Sequence, residues 1–280
     1  MKPMRGFKWA DYKHRFPFPC YVQPKLNGVR ALYSTGIFQS NDNIIWARPV
    51  IAHFLDELQK TCPPYLILDG EFYLHGKSLQ QINGAMSVKR ASPGALTPDI
   101  EYHVFDCIST HDLHLPFSKR LEIIYSLRDR LVSVGAKRVK TVPTTEVFEP
   151  GLDETLFSEY RRKGFEGTMY RNSNSPYGFL EECGNQDNRW GWLIKRKEWE
   201  TEEFKVIRLE ETVGDKGFRG FQLHCITEQG AAFSVGSGLS IPELDYFLAN
   251  PPDGLTARIR YECLSDGGIP LKPTIEAILE

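Results

Sequence analysis

The sequence predicts an α+β fold in two domains, and three observations carry that prediction. Through about residue 203 the chain alternates apolar, strand-like runs with segments of helical period. Charged residues sit within or at the ends of several apolar runs, where they are costly unless paired or facing a site. From Phe204 onward, short strands recur at roughly ten-residue spacing with Gly-rich turns, the pattern of a small β-barrel.

The first strand is expected over Tyr21–Tyr33, broken at Asn27-Gly28, so that Lys25 projects from a strand end into a cleft. Ala47–Lys60 reads as a helix. Pro49 lies where its missing N–H costs nothing, and Val50, Phe54, Leu55 and Leu58 mark an apolar face. Pro63-Pro64 stops it, and Tyr65–Leu74 follows as a strand holding Asp69 and Glu71. Lys77–Val88 is a short helix in which Ser78 and Gln81 form a capping box. Glu101–Ile108 is a buried strand that carries Phe105 and Asp106.

Phe117–Val134 is the longest helix, with Ser118 as its cap and Leu121, Ile124, Leu127 and Leu131 along one face. Its charges (Lys119, Arg120, Glu122, Arg128, Asp129, Arg130) read as a solvated face. Leu152–Lys163 is a helix closed by Gly164, and Phe165–Arg171 is a strand that buries Glu166. The second domain contributes strands Lys205–Leu209, Phe221–Thr227, Ala232–Val235 and Ala257–Cys263, with a helix at Ile241–Ala249. The expected domains are 1–203 and 204–280.

At 280 residues, with 41% hydrophobic and 25% charged residues, the chain has room for two modest cores. No apolar run reaches transmembrane length, and the opening residues lack the apolar core of a signal peptide. The expected location is therefore cytoplasmic, with no membrane partner. Six cysteines are dispersed without a Cys-x-x-Cys pair, so free thiols are expected. His14 and His53 have no partner at metal-site spacing and read as surface or core residues. Net charge is only −2, but residues 1–30 hold seven Lys/Arg against one Asp. Residues 207–280 hold six Lys/Arg against eleven Asp/Glu. A footprint for a polyanion, if the chain has one, lies at the N-terminal end and the cleft. For residues 1–12, polyanion contact and a merely solvated terminus stand as equal readings.

Chemistry gathers around Gln23-Pro-Lys-Leu-Asn-Gly-Val-Arg30. A lysine that loses solvation among other cations can act as a nucleophile near neutral pH. Four later blocks follow it: Leu68-Asp-Gly-Glu71, His103-Val-Phe-Asp106, Phe165-Glu-Gly-Thr-Met-Tyr-Arg171 and Leu193-Ile-Lys-Arg-Lys197. Lys195 and Lys197 alternate along one strand and so point to one face, while Trp190, Trp192, Leu193 and Ile194 before them imply burial.

Five blocks in this order resemble the covalent nucleotidyltransferases, most closely the minimal two-domain ATP-dependent DNA ligases. The resemblance runs from about Phe16 to about Lys272. It implies an ATP-grasp-like nucleotidyltransferase domain, then an OB-fold barrel in which Phe233-Ser-Val-Gly-Ser-Gly-Leu239 is similar to the family's segment. It also implies sealing of nicked double-stranded DNA by a monomer, through a lysyl-AMP intermediate. Lys25 would be the nucleophile, and Lys195 and Lys197 would neutralise the α-phosphate. Glu71 would bind a ribose hydroxyl. Phe105 would stack on adenine, worth about 1–3 kcal/mol. Gln23 would meet the adenine edge, and Arg30 and Arg171 a phosphate or ribose. Glu166, with Asp69, would hold Mg²⁺, for which Mn²⁺ could substitute. Replication or repair would be the setting, in a nucleoid or, for a viral protein, the host cytoplasm.

Three departures mark this chain. Asn27 stands where most members carry Asp. Ser40-Asn41 replaces a Ser-Arg whose arginine reads the nick's 5′-phosphate, leaving Arg48 as the substitute. Ile269-Pro-Leu-Lys-Pro273 stands for the family's Pro-Arg-Phe-Pro, and no Arg-x-Asp-Lys follows it. Orientation of the leaving group would then fall to Lys272, Arg258 or Arg260. The stretch between Val206 and Phe221 is expected to be too short for a DNA-encircling hairpin. Two alternatives stand beside the DNA ligase: an RNA ligase or capping-type guanylyltransferase, and a non-catalytic nucleic-acid-binding relative.

Overall fold

The structure, a computed structural model, describes residues 3–13, 16–178, 192–213 and 217–279. His14, Cys183 and Trp190 lie outside the described residues. The chain divides into two compact units, Met1–Lys197 and Glu198–Glu280.

The first unit opens with β1 (Phe7–Lys8) and the single turn α1 (Trp9–Tyr12). β2 (Cys20–Lys25) and β3 (Val29–Ser34) follow, then β4 (Ile37–Gln39) and helix α2 (Arg48–Thr61). The strand expected over Tyr21–Tyr33 with a break at Asn27-Gly28 is thus two strands separated there, and they belong to different sheets. Gly28 makes the crossing possible: a Cβ there would lie 2.2 Å from the Phe72 carbonyl oxygen. Val50, Ile51, Phe54, Leu55 and Leu58 of α2 are buried as their spacing predicts. Each large side chain of that stripe contributes about 2 kcal/mol through burial.

Next come β5 (Leu66–Tyr73), α3 (Leu79–Ala85) and β6 (Glu101–Ser109). The Ser78–Gln81 capping box is present in both directions at 3.2 and 3.1 Å. Helix α4 (Phe117–Ser133) starts after Pro116, so Ser118 lies inside the helix and does not cap it. β7 (Val139–Thr141) and β8 (Thr145–Val147) lead to α5 (Leu152–Arg162). The chain leaves α5 through a Schellman arrangement. Gly164 (φ 83°) donates to the Arg161 carbonyl and Phe165 to that of Tyr160, each at 3.0 Å. β9 (Gly167–Asn172) and β10 (Leu193–Lys197) complete the unit.

Two five-stranded sheets result, in the orders β1-β10-β9-β2-β8 and β4-β3-β5-β6-β7. The second sheet packs its Phe38, Phe72 and Tyr102 on Phe54 and Leu58 of α2 and Ile124 and Leu127 of α4. The first packs Val22, Tyr170 and Ile194 on Leu156 and Tyr160 of α5. The described cysteines are free thiols.

The second unit holds β11 (Glu200–Val213), β12 (Arg219–Ile226), β13 (Ala232–Val235), α6 (Ile241–Ala249), β14 (Thr256–Tyr261) and β15 (Thr274–Leu279). Residues 200–203 open β11, where Glu200 pairs with Tyr261. The strand order is β13-β12-β11-β14-β15. This is not a closed ladder. Past the end of β13, Ile275 donates to the Ser237 carbonyl at 2.9 Å, which brings the two edges together at one point. A partly open five-stranded barrel of this kind is an OB fold. β11 is far longer than the expected Lys205–Leu209, because alternation continues through polar residues. It forms with β12 a hairpin paired out to Val213 and Arg219, within the stretch between Val206 and Phe221. β15 was not expected at all.

Candidate active site

Strand register puts the charged residues of the first sheet in one row. Lys25 and Lys197 both face Gly167 in the ladder, Gln23 and Lys195 both face Met169, and Leu193 faces Arg171. Residues directly opposite across antiparallel strands share a face, so this set points one way. Arg196, between the two lysines, points the other way, pairing with Glu154 at 2.7 Å over the Phe157 ring. The second sheet contributes Arg30 opposite Glu71. Phe105 arrives by another route. Asp69 pairs with Asp106 but Gly70 pairs with Val104, so Phe105 is the extra residue of a β-bulge. Bulges re-aim side chains, and this one turns Phe105 into the cavity.

The cavity between these sheets measures about 290 Å³ and is lined by Arg5, Gln23, Lys25, Arg30, Glu71, Phe105, Arg171 and Lys195, among others. An ion-pair network holds its charged lining residues. Lys25 Nζ donates to Glu166 Oε2, and Lys197 Nζ lies 3.9 Å from Glu166 Oε1. Glu166 is itself fixed by its N–H on the Lys25 carbonyl at 3.0 Å. Arg30 grips Asp69 with two bonds, of 2.9 and 2.5 Å, and the Met4 carbonyl with a third of 2.6 Å. Arg171, 2% exposed, donates to Gln23 Oε1 and to Asp106 Oδ2, both at 2.6 Å.

Three expected roles change on this geometry. Gln23 commits both amide hydrogens internally, to the Phe105 carbonyl (3.0 Å) and Thr144 Oγ1 (2.9 Å), so it braces Phe105 and Arg171 instead of reading a base edge. Asp69 does not line the cavity. Arg30 occupies both its oxygens and the Tyr177 hydroxyl donates to one at 2.7 Å, which leaves it a brace and not a metal ligand. Arg120, read as solvated, is 1% exposed and pairs with Asp106 at 2.7 Å. Its place in the series Phe117, Arg120, Ile124, Leu127, Leu131 was the available signal, since that stripe faces the core. Burial opposes ionisation of Asp106, but Arg120 and Arg171 outweigh it and hold the carboxyl below the usual carboxylate range.

Ser40 and Arg48 stand apart from the cavity lining. Ser40 Oγ accepts from the Asp42 and Ile44 N–H groups at 3.3 and 3.2 Å, closing a loop. Arg48 is exposed in the first turn of α2. In the second unit, Arg258 pairs with Glu203 and Lys272 with Glu262, each at 2.9 Å. Among the described residues no group of three or more His, Cys, Asp and Glu could hold a metal ion. No helix among them is long and apolar enough to cross a membrane.

Glu71 is the carboxyl of the cavity lining whose titration is shifted upward. Burial pushes its carboxyl up to about 7, although Lys25 and the Gly28 N–H (2.5 Å) act in the opposite direction. The folded state then holds this proton more tightly than the unfolded one, so stability falls as pH rises from the ordinary carboxylate range through about 7. Glu71→Gln keeps an acceptor for Gly28 but cannot ionise. The stability of wild type relative to this variant should drop by roughly 2–3 kcal/mol between pH 5 and pH 8 in urea unfolding. A difference independent of pH would exclude a raised Glu71.

A lysine-bearing cavity between two sheets, followed by an OB fold, is the architecture of the covalent nucleotidyltransferases. Residues 10–193 match the ATP-dependent DNA ligase domain, and the chain belongs to that family. It is 30% identical over 205 residues to a DNA ligase of African swine fever virus (Warthog isolate), covering 70% of this chain and 45% of that protein. The Badajoz strain's DNA ligase is 28% identical over 205 residues, with the same coverage. The chain thus spans less than half the length of these viral relatives. Among solved structures, one from a structure–function study of Lig E DNA ligases superimposes with a TM-score of 0.72 at 18% identity, covering 100% of this chain and 99% of that one. Chlorella virus DNA ligase–adenylate gives 0.55 at 21% identity, covering 100% and 98%. At these identities the structures speak for the fold.

Proposed function

We propose that this chain is an ATP-dependent DNA ligase that seals 5′-phosphate/3′-OH nicks in double-stranded DNA through a lysyl-AMP intermediate. The observation that carries the reading is Lys25 in the cavity, its Nζ on Glu166, with Lys195 and Lys197 on the same sheet face. In the first step Lys25 Nζ bonds to the α-phosphorus of ATP as the bond to pyrophosphate breaks. Glu166, already in contact with Nζ, is placed to take the proton the amine must lose. Lys195 and Lys197 offset the charge that develops on the phosphoryl oxygens. In the second step an oxygen of the 5′-phosphate displaces Lys25 and takes the AMP. In the third the 3′-OH attacks that phosphate and AMP leaves.

Phe105 supplies the stacking face for adenine and Glu71 the acceptor for a ribose hydroxyl. Arg30 and Arg171 form the wall, braced by Asp69 and Asp106. Glu166 is the protein oxygen donor best placed for Mg²⁺, which takes a few carboxylates with phosphate oxygens and waters and would supply charge neutralisation at the phosphates. Arg48, with Ser40 in the loop before it, is assigned to the nick's 5′-phosphate. The proposed acting form is a monomer in a cytoplasm, where ATP and DNA are both present.

Incubation with α-labelled ATP or GTP and Mg²⁺, then a denaturing gel, tests the reading. Retained label from ATP, and not GTP, followed by sealing of a nicked DNA duplex, is the expected result. Label from GTP alone would make the chain a capping-type enzyme, and no label from either would make it a non-catalytic relative.

A further inference from the structure

We infer that Arg5, on the N-terminal strap, binds the β and γ phosphates of the bound nucleotide, an inference that rests on the nucleotide-binding reading of the cavity. The strap is built into the site. Met4 is 1% exposed, its N–H meets the Tyr177 hydroxyl at 3.3 Å, and its carbonyl accepts from Arg30 at 2.6 Å. Three residues later the chain enters β1, whose Phe7 and Lys8 align in parallel with Ile194 and Lys195. Gly6 lies so close to the first sheet that a Cβ would sit 3.3 Å from Met169. Arg5 is held between these anchors. It is exposed, yet it lines the cavity alongside Lys25 and Lys195.

The charge inventory of the cavity separates Arg5 from its neighbours. Lys25 is matched to Glu166, Arg30 to Asp69 and Arg171 to Asp106. Arg5 has no carboxylate partner among the described residues, so its guanidinium is available to an external anion. A triphosphate whose α-phosphorus faces Lys25 must place two further phosphates near the cavity mouth. A planar guanidinium offers them paired donors there. When the α-phosphorus passes to Nζ, the electron pair of the breaking P–O bond goes to pyrophosphate, and Arg5 would neutralise the charge that arrives.

Binding of α,β-methylene-ATP and of adenosine to wild type, Arg5→Ala and Arg5→Lys, read by calorimetry, tests this without any turnover. The analogue keeps three phosphates but cannot release pyrophosphate. Arg5→Ala should weaken the analogue by roughly 10- to 100-fold, the usual range for a lost charge-assisted hydrogen bond, and leave adenosine unchanged. Arg5→Lys should recover part of the loss. Equal weakening of both ligands would overturn the inference by making Arg5 a support of the strap, and no weakening of either would overturn it outright. A defect confined to sealing a pre-adenylated nick would likewise overturn it, assigning Arg5 to the DNA phosphate. Covalent labelling of wild type judges the nucleotidyltransferase reading separately.

Discussion

Lys25→Ala should abolish covalent AMP labelling completely and still permit the sealing of a nick that already carries 5′-AMP. The side chain is the only proposed point of attachment for the nucleotide, and the third step does not use its amine. The substitution also frees Glu166, whose Oε2 holds Lys25 Nζ and whose Oε1 lies 3.9 Å from Lys197. Lys197 can then take Glu166 fully, so the fold should persist and the melting temperature should move little. The measurement is a labelling gel run beside a sealing assay on a pre-adenylated nick. Label retained by the variant would remove Lys25 as nucleophile. Loss of both activities with the fold intact would mean that the lysine also serves the later chemistry.

Asp106→Ala should cost more stability than any other single change at the site. Asp106 lies at 0% exposure, with Arg120 donating to both its oxygens at 2.7 and 3.1 Å and Arg171 to Oδ2 at 2.6 Å. Its removal leaves two buried guanidiniums without their carboxylate, and breaking a buried pair by deleting one partner typically costs about 3–5 kcal/mol. On a chain of this size the first unit's melting temperature should fall by roughly 10 °C. The nucleotide should suffer as well, since Arg171 holds Gln23 at 2.6 Å and Gln23 holds the Phe105 carbonyl at 3.0 Å. Arg120→Met should be milder, because Asp106 keeps Arg171. Thermal unfolding and adenosine binding check both halves. A loss below about 1 kcal/mol would show that the network is solvated or relaxes.

What the sequence by itself determined was local. The apolar stripe of α2, the Ser78–Gln81 capping box and the Gly164 helix stop each follow from neighbours within a few residues, and each appears as read. The family was legible too, because five charged blocks in a fixed order carry it even though each alone is weak. The alternation of Lys195 and Lys197 about Arg196 is period-two geometry and needs no tertiary information.

Tertiary structure decided which of those charges face the cavity and which brace it. Gln23, Asp69 and Arg120 carry no local mark that separates a ligand-binding group from a brace. Their roles depend on partners in other strands: Arg171, Arg30 and Asp106. The bulge that aims Phe105 is a property of the β5–β6 register, and a strand's own sequence does not contain its register. The near-closure of the second sheet rests on Ser237, which bonds Pro273, Thr274 and Ile275, residues far from it along the chain. Arg5 shows the same division. Its charge is written in the sequence, but only the docking of Met4 on Arg30 and of β1 on β10 brings it to the cavity. Side-chain chemistry is a local property, whereas pairing is a property of the folded chain, and at this site pairing assigns the roles.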